Sequence, residues 1–218
     1  MSPGERWAEL HKRKHFASRY PEPEVIRWTF RNFDRTNPEK FCLLDVGCGH
    51  GRHAAFWKIN GYQSIGCDFV EEAVEASREL ANVVGFGVCR DFHDNLHWPD
   101  NWFHGVLSWG VLYYTDTVER GIAELHRVLR PGGKALVNIR STADSRFLHG
   151  HWTEEGCVVA SGPHDAFADE AGLSMKFYTP MKAKEMFGAF SEVNVERHSR
   201  TEFEGEIVHD DLIIKATK

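Results

Sequence analysis

The chain has 218 residues, a formal net charge of -6 and a hydrophobic content of 42%, which suits one domain with a full core. The mildly acidic balance offers no broad basic field for duplex nucleic acid, and no apolar run nears the roughly 18 residues of a membrane span. The five cysteines include no C-x-x-C pair and read as buried free thiols in a reducing compartment. The opening stretch MSPGERWAEL lacks a signal-peptide apolar region, so the cytoplasm is the expected address.

A short helix over 5–14 carries Trp7 and Leu10 on one face and runs into Lys12, Arg13 and Lys14, flanked by His11 and His15. That basic run reads as a solvated helix face or, alternatively, as a contact for an anionic substrate. Pro21 and Pro23 make 20–23 a hinge. The next helix, 23–33, buries Val25, Ile26, Phe30 and Phe33 at helical spacing. An apolar run (Phe41, Cys42, Leu43, Leu44) then ends on Asp45 and meets glycines at alternate positions, Gly47, Gly49 and Gly51. A helix follows over 52–60, with Gly61 placed as a left-handed cap. A second strand, 63–67, closes on Asp68. Strand, glycine turn, helix and strand with a terminal acid form a unit that holds a nucleoside-containing cofactor at the carboxyl edge of a parallel sheet.

The alternation continues. A helix spans 71–81, a strand 87–89 ends at Arg90, Asp91 and Phe92, and a loop covers 93–100. A strand over 104–108 precedes a helix over 117–129 that Pro131, Gly132 and Gly133 stop, and a fifth strand occupies 134–139. From 140 to 176 the pattern is irregular and rich in Gly, His and aromatics, as expected of an inserted lid or short hairpin. Thr179 and Pro180 supply an N-cap and first-turn proline for a helix to 190. Strands over 192–200 and 206–216 close the chain. Strands one to five, joined by helices, are parallel with right-handed crossovers.

The glycine spacing selects the cofactor class. A dinucleotide fingerprint needs G-x-G-x-x-G, and its third glycine would fall on Arg52. Asp45 before the turn suits a cationic ligand, an amino group or a sulfonium, better than a pyrophosphate. The series Asp45-x-Gly47-x-Gly49-x-Gly51, Asp68, Asp91 in CRDF and the LRPGG before strand five resembles the class I S-adenosylmethionine-dependent methyltransferases, whose motif I is [DE]-x-G-x-G-x-G. The resemblance covers most of 41–140. It implies a Rossmann-like, doubly wound α/β fold: a seven-stranded, mostly parallel sheet with an antiparallel last strand. Around that core (41–140) would sit amino-terminal cap helices (1–40), a lid or substrate insert (141–178) and a terminal helix with two strands (179–218).

The same resemblance implies S-adenosylmethionine as cofactor, S-adenosylhomocysteine as product, and methyl transfer to an oxygen or nitrogen of a small-molecule metabolite, as in the type 11/25-like members. A non-catalytic cofactor-binding sensor or partner subunit is the alternative. Cofactor contacts are then expected from Asp45, Gly47, Cys48, Gly49, Asp68, Phe69, Asp91, Phe92 and Ser108. Asp68 ends strand two where a ribose would lie, Asp91 accepts from the adenine amino group, and Phe92 or Phe69 sandwiches the ring. Ser108 and Trp109 face the methyl group, while Tyr113 and Tyr114 line the substrate side with Trp109. The [DN]-P-P-[YF] pattern of enzymes acting on exocyclic amines of DNA bases is absent from 108–114. His149 or His151 is the candidate general base. No metal, nucleic-acid or membrane partner is expected, and the chain should act as a monomer or homodimer.

Overall fold

The computed structural model describes residues 3–12, 18–81, 87–88, 96–154, 156–160 and 162–218. Strands β1 (Cys42–Val46), β2 (Gln63–Asp68), β3 (Gly87–Val88), β4 (Phe103–Ser108) and β5 (Leu129–Ser141) pair in parallel in the order 3-2-1-4-5. Beyond β5 lie β11 (Ile207–Thr217), antiparallel to both its neighbours, and β10 (Glu192–Glu202) at the edge. The strand order reverses beside β1, because the chain walks outward to β3 and returns to β4. That switch point opens a crevice at the carboxyl ends of β1 and β4.

Continuous apolar runs make the central strands insoluble on either face, so helices must cover both. Helices α2 (Pro23–Asn32) and α3 (Arg52–Ile59) cover one face, where Val25, Trp28 and Trp57 pack on Leu43, Leu107, Leu136 and Ile213. Helices α5 (Val118–Val128) and α7 (Pro180–Met186) cover the other, with Ile122, Leu125, Ala183 and Phe187 against Leu44, Val106 and Val137. Leu43 and Leu44 thus go to opposite layers, as strand alternation requires. α7 starts as its Thr179 and Pro180 predict, with the Thr179 hydroxyl accepting from Lys182 N–H at 3.2 Å. Helices α1 (Pro3–His11) and α4 (Glu71–Ala81) complete the cofactor half. Among the described residues no helix is long and apolar enough to cross a membrane.

Two departures from the sequence reading have tertiary causes. Strand β5 begins at Leu129, five residues before the expected start, with its register to β4 shifting between Phe103 and Gly105. The glycine turn inside it is held by the last residue: Gly132 N–H donates to Lys218 O at 2.8 Å and Lys218 N–H to Gly133 O at 3.0 Å. The segment after β5 contains a helix not expected there, α6 (Ser145–His149), and a separate sheet of β6 (His151–Trp152), β7 (Cys157–Val158) and β8 (Ser174–Met175). Asp144 starts α6 by accepting from Arg146 N–H at 2.9 Å. The short β9 (Phe177–Tyr178) then pairs with the end of β5.

α2 and α3 are joined by one buried bond, from the Trp57 indole N–H to the Thr29 hydroxyl at 2.9 Å, with both residues fully buried. Replacing Thr29 by Val keeps the shape and orphans the indole donor. Urea unfolding should then show a loss of about 1–3 kcal/mol.

Candidate functional site

The crevice is built on the turn after β1. Gly47, Gly49 and Gly51 all take positive φ, at 71°, 51° and 78°, a region that L side chains avoid. Gly47 is constrained twice, since a Cβ there would lie 2.1 Å from Val111 Cγ2. The amides of Gly47 and Cys48 both donate to Cys67 O, at 2.8 and 2.9 Å, and so pin the turn to the end of β2. Asp68 completes the closure. Its carboxylate accepts from Gly49 N–H at 2.9 Å and from Val70 N–H at 3.0 Å while only 5% exposed. Burial pushes this carboxyl above its ordinary range, and the Val70 and Gly49 amides pull it back.

A cavity of about 760 Å³ opens from the turn along the carboxyl edge of the sheet. α1 roofs it. Trp7 meets Tyr114 edge-on at 4.8 Å, and His11 meets His50 at 5.0 Å above Gly49. The far wall is a dense ion network. Arg146 bonds both oxygens of Asp144 at 3.0 Å and also reaches Glu170, which accepts from Tyr114 Oη at 2.7 Å. Arg140 donates to Asp211 at 3.0 Å and lies 4.9 Å from the Tyr113 ring centre. Burial opposes the charge on Glu170, and Arg146 and Arg140 outweigh it, holding that carboxyl below its usual range. Asp211 goes the other way: burial raises it, despite Arg140.

Of the residues singled out from sequence, Gly47, Cys48, Gly49, Asp68, Phe69, Trp109, Tyr113 and Tyr114 line this cavity. Four do not. Asp45 is 1% exposed and lies 3.5 Å from His53 Nδ1, and it is His53 rather than Asp45 that lines the cavity. Ser108 is fully buried between the strands that flank β4. His149 and His151 are corrected as base candidates, because α6 and β6 carry them away: His149 lies beside Phe167 at 6.5 Å and His151 is exposed on the small sheet. Asp91, Phe92 and the basic residues 13–15 lie outside the described residues.

The far wall went unread in the sequence. Asn138, Arg140, Arg146, Glu170, His209 and Asp211 come from four separate segments. A signal existed in the run His209, Asp210 and Asp211, which separates Ile207 and Val208 from the apolar run Leu212 to Ile214. Chemically, the cavity is poor in nucleophiles of its own. Burial lifts Tyr113 to about 12 and Tyr114 well above its ordinary value, and burial with Asp45 and Asp68 lifts the Cys48 thiol. The site is therefore suited to positioning two ligands, with Asp211 as a carboxylate able to take a proton.

The turn and cavity fit an adenosine-bearing ligand: a buried carboxylate stands at the end of β2, and side-chain-free backbone faces the opening. Residues 44–137 match the family model described as a methyltransferase domain. Probable tRNA methyltransferase 9B of Mus musculus is 36% identical over 103 residues, which is 44% of this chain and 21% of that protein. The tRNA (carboxymethyluridine(34)-5-O)-methyltransferase ALKBH8 of Macaca fascicularis is 27% identical over 163 residues, 65% of this chain and 21% of that protein. The chain thus spans about a fifth of the length of these relatives. A solved SAM-dependent methyltransferase from Methanosarcina mazei has the same fold, with a TM-score of 0.66 at 20% identity over 91% of this chain and 98% of that one.

These relatives overturn one expectation. A partner set of small molecules without nucleic acid conflicts with two proteins named for acting on tRNA. The inference from a net charge of -6 failed because a sum over the chain is blind to how charge is distributed over the surface.

The roof carries its own pH dependence. Burial lowers the His11 imidazole from 6.5 to about 4, His50 adds to the effect and Glu72 opposes it. His11 is therefore neutral when α1 is docked, and docking is at full strength above pH 6.5. It should weaken as pH falls toward 4, with α1 opening rising by at most about tenfold per pH unit. Hydrogen exchange of the α1 amides reads this, and His11→Gln should flatten the profile.

Proposed function

From the premise that this chain carries a class I S-adenosylmethionine-dependent methyltransferase domain, with S-adenosylmethionine as the cofactor its family uses, we infer that it methylates an oxygen or nitrogen of a nucleoside within tRNA. The observation that carries the reading is the Asp68-closed glycine turn opening onto a cavity with aromatic and ionic far walls. When bound, the cofactor supplies a methyl group already activated on a sulfonium centre, whose leaving group is a neutral thioether.

The protein's share is placement. Asp68 would accept from ribose hydroxyls with the lone pairs its backbone donors leave free, while the Gly47, Cys48 and Gly49 backbone admits the ligand without side-chain obstruction. Trp109, Tyr113 and Tyr114 would hold the acceptor ring, and Arg140 would hold an anionic substituent such as the carboxymethyl group in the name of the ALKBH8 relative. The Arg140 Nε is buried and has no hydrogen-bond partner among the described residues. Asp211 would receive a proton from an acceptor that has one to lose. A carboxylate acceptor has none, and positioning alone can then lower the barrier by roughly 7–11 kcal/mol. The α1 roof keeps water from the reacting centre.

Calorimetry with S-adenosylhomocysteine should show one site, and Asp68→Ala should weaken it by about 10- to 150-fold, the range of one charge-assisted bond. Absence of binding to the wild type rejects the reading. Radiolabelled S-adenosylmethionine incubated with bulk tRNA should leave label in the RNA. Intact S-adenosylhomocysteine binding with no label in RNA rejects the tRNA acceptor alone.

A further inference from the structure

The paired helices α2 and α3 present a face whose charge is opposite to that of the chain as a whole. They run side by side from the cavity mouth, where Arg52 meets Glu22 at 3.0 Å, to the Thr29–Trp57 bond and the Phe30–Phe56 contact at 5.5 Å. No acidic residue occurs from Val25 to Phe33 or anywhere in α3, in a chain with 32 acids and a net charge of -6. Arg27, Arg31 and Lys58 on these helices, and Arg35 just after α2, are exposed. Arg27 and Arg31 stand one helical turn apart, a rise of about 6 Å. Of the acids nearby, Glu24 is buried and shared between Arg27 and Lys215, at 2.6 and 2.7 Å, while Asp34 is exposed and accepts from the Thr36 amide and hydroxyl, both at 2.8 Å.

The face leads to the cavity. Ser18 and Glu22 line the opening, and Tyr20 between them is 82% exposed, with its carbonyl 3.5 Å from Arg52. At the other end Arg35 lies 4.4 Å over the Phe30 ring. Arginines with planar, weakly hydrated heads suit phosphate oxygens, and an exposed tyrosine suits the face of an unstacked base. We propose that the α2–α3 face is the docking surface for the phosphate backbone of an RNA acceptor, with Tyr20 stacking on a base at the cavity mouth. The inference rests on the methyltransferase reading above and adds the path by which RNA reaches the site.

The test uses end-labelled bulk tRNA, fluorescence anisotropy and the protein saturated with S-adenosylhomocysteine, at ~50 mM and ~200 mM salt. Wild type should bind more weakly at the higher salt. Arg31→Glu with Arg35→Glu should weaken binding by at least about tenfold and make the slope of log affinity on log salt shallower by roughly 1 to 2 units. Lys182→Glu with Lys184→Glu, on α7 across the sheet, should stay within about twofold of wild type. Affinity for S-adenosylhomocysteine should be unchanged in both variants, which also shows that they fold. Equal tRNA binding by the α2 variant and wild type overturns the proposal, as does an equal loss in the α7 variant. Wild type that binds S-adenosylhomocysteine but not tRNA overturns it and leaves the cofactor reading intact. Wild type that binds neither removes both.

Discussion

One hydrogen bond organises this protein, from the Gly49 amide to the Asp68 carboxylate. It joins the turn after β1 to the last residue of β2, and the Cys67 carbonyl beside it takes two further amides of the same turn. Burying a carboxylate is costly, and here two backbone donors offset the cost while burial still holds the carboxyl above its usual range. The result is a rigid turn whose backbone, free of side chains, borders the crevice. Gly47 could not be anything larger, because Val111, in the loop after β4, occupies the space a Cβ would need.

The opposite wall obeys a different economy. Arg140 and Arg146 pair with Asp144, Glu170 and Asp211 along the cavity wall, each exchanging water for a charged partner. Such networks give little net stability but a defined geometry. Definition is what methyl transfer asks of a protein, because the reacting carbon arrives activated and the barrier is largely one of alignment. The Tyr113 ring, 4.9 Å from the Arg140 guanidinium carbon, lines the cavity beside it and fits the same purpose.

The surface adds a third layer. An acidic chain places Arg27, Arg31 and Arg52 on two adjacent helices with no acid from Val25 to Phe33 or within α3, so a mean charge does not describe that face. The same helices bury Val25, Trp28 and Trp57 inward, which fixes the outward direction of Arg27 and Arg31 by helical period alone. Core packing and surface charge are thus two readings of one amphipathic pattern.

What the sequence determined by itself was local and periodic. The glycines at alternate positions, the acids ending the first two strands, the proline and threonine opening α7 and the apolar runs of the central strands each state their conformation within a few residues, and together they specify the doubly wound sheet. Asp68 was legible because its place follows from the length of one strand–helix–strand unit. Only the tertiary structure decided the rest. Asp45 carries the motif yet faces His53, since alternation along β1 sends it behind the turn. His149 and His151 looked catalytic by composition, but α6 and a small sheet of their own turn them aside. The wall of Arg140, Arg146, Glu170 and Asp211 joins residues up to 71 positions apart, and no local spacing encodes a contact that forms only when β11 inserts beside β5.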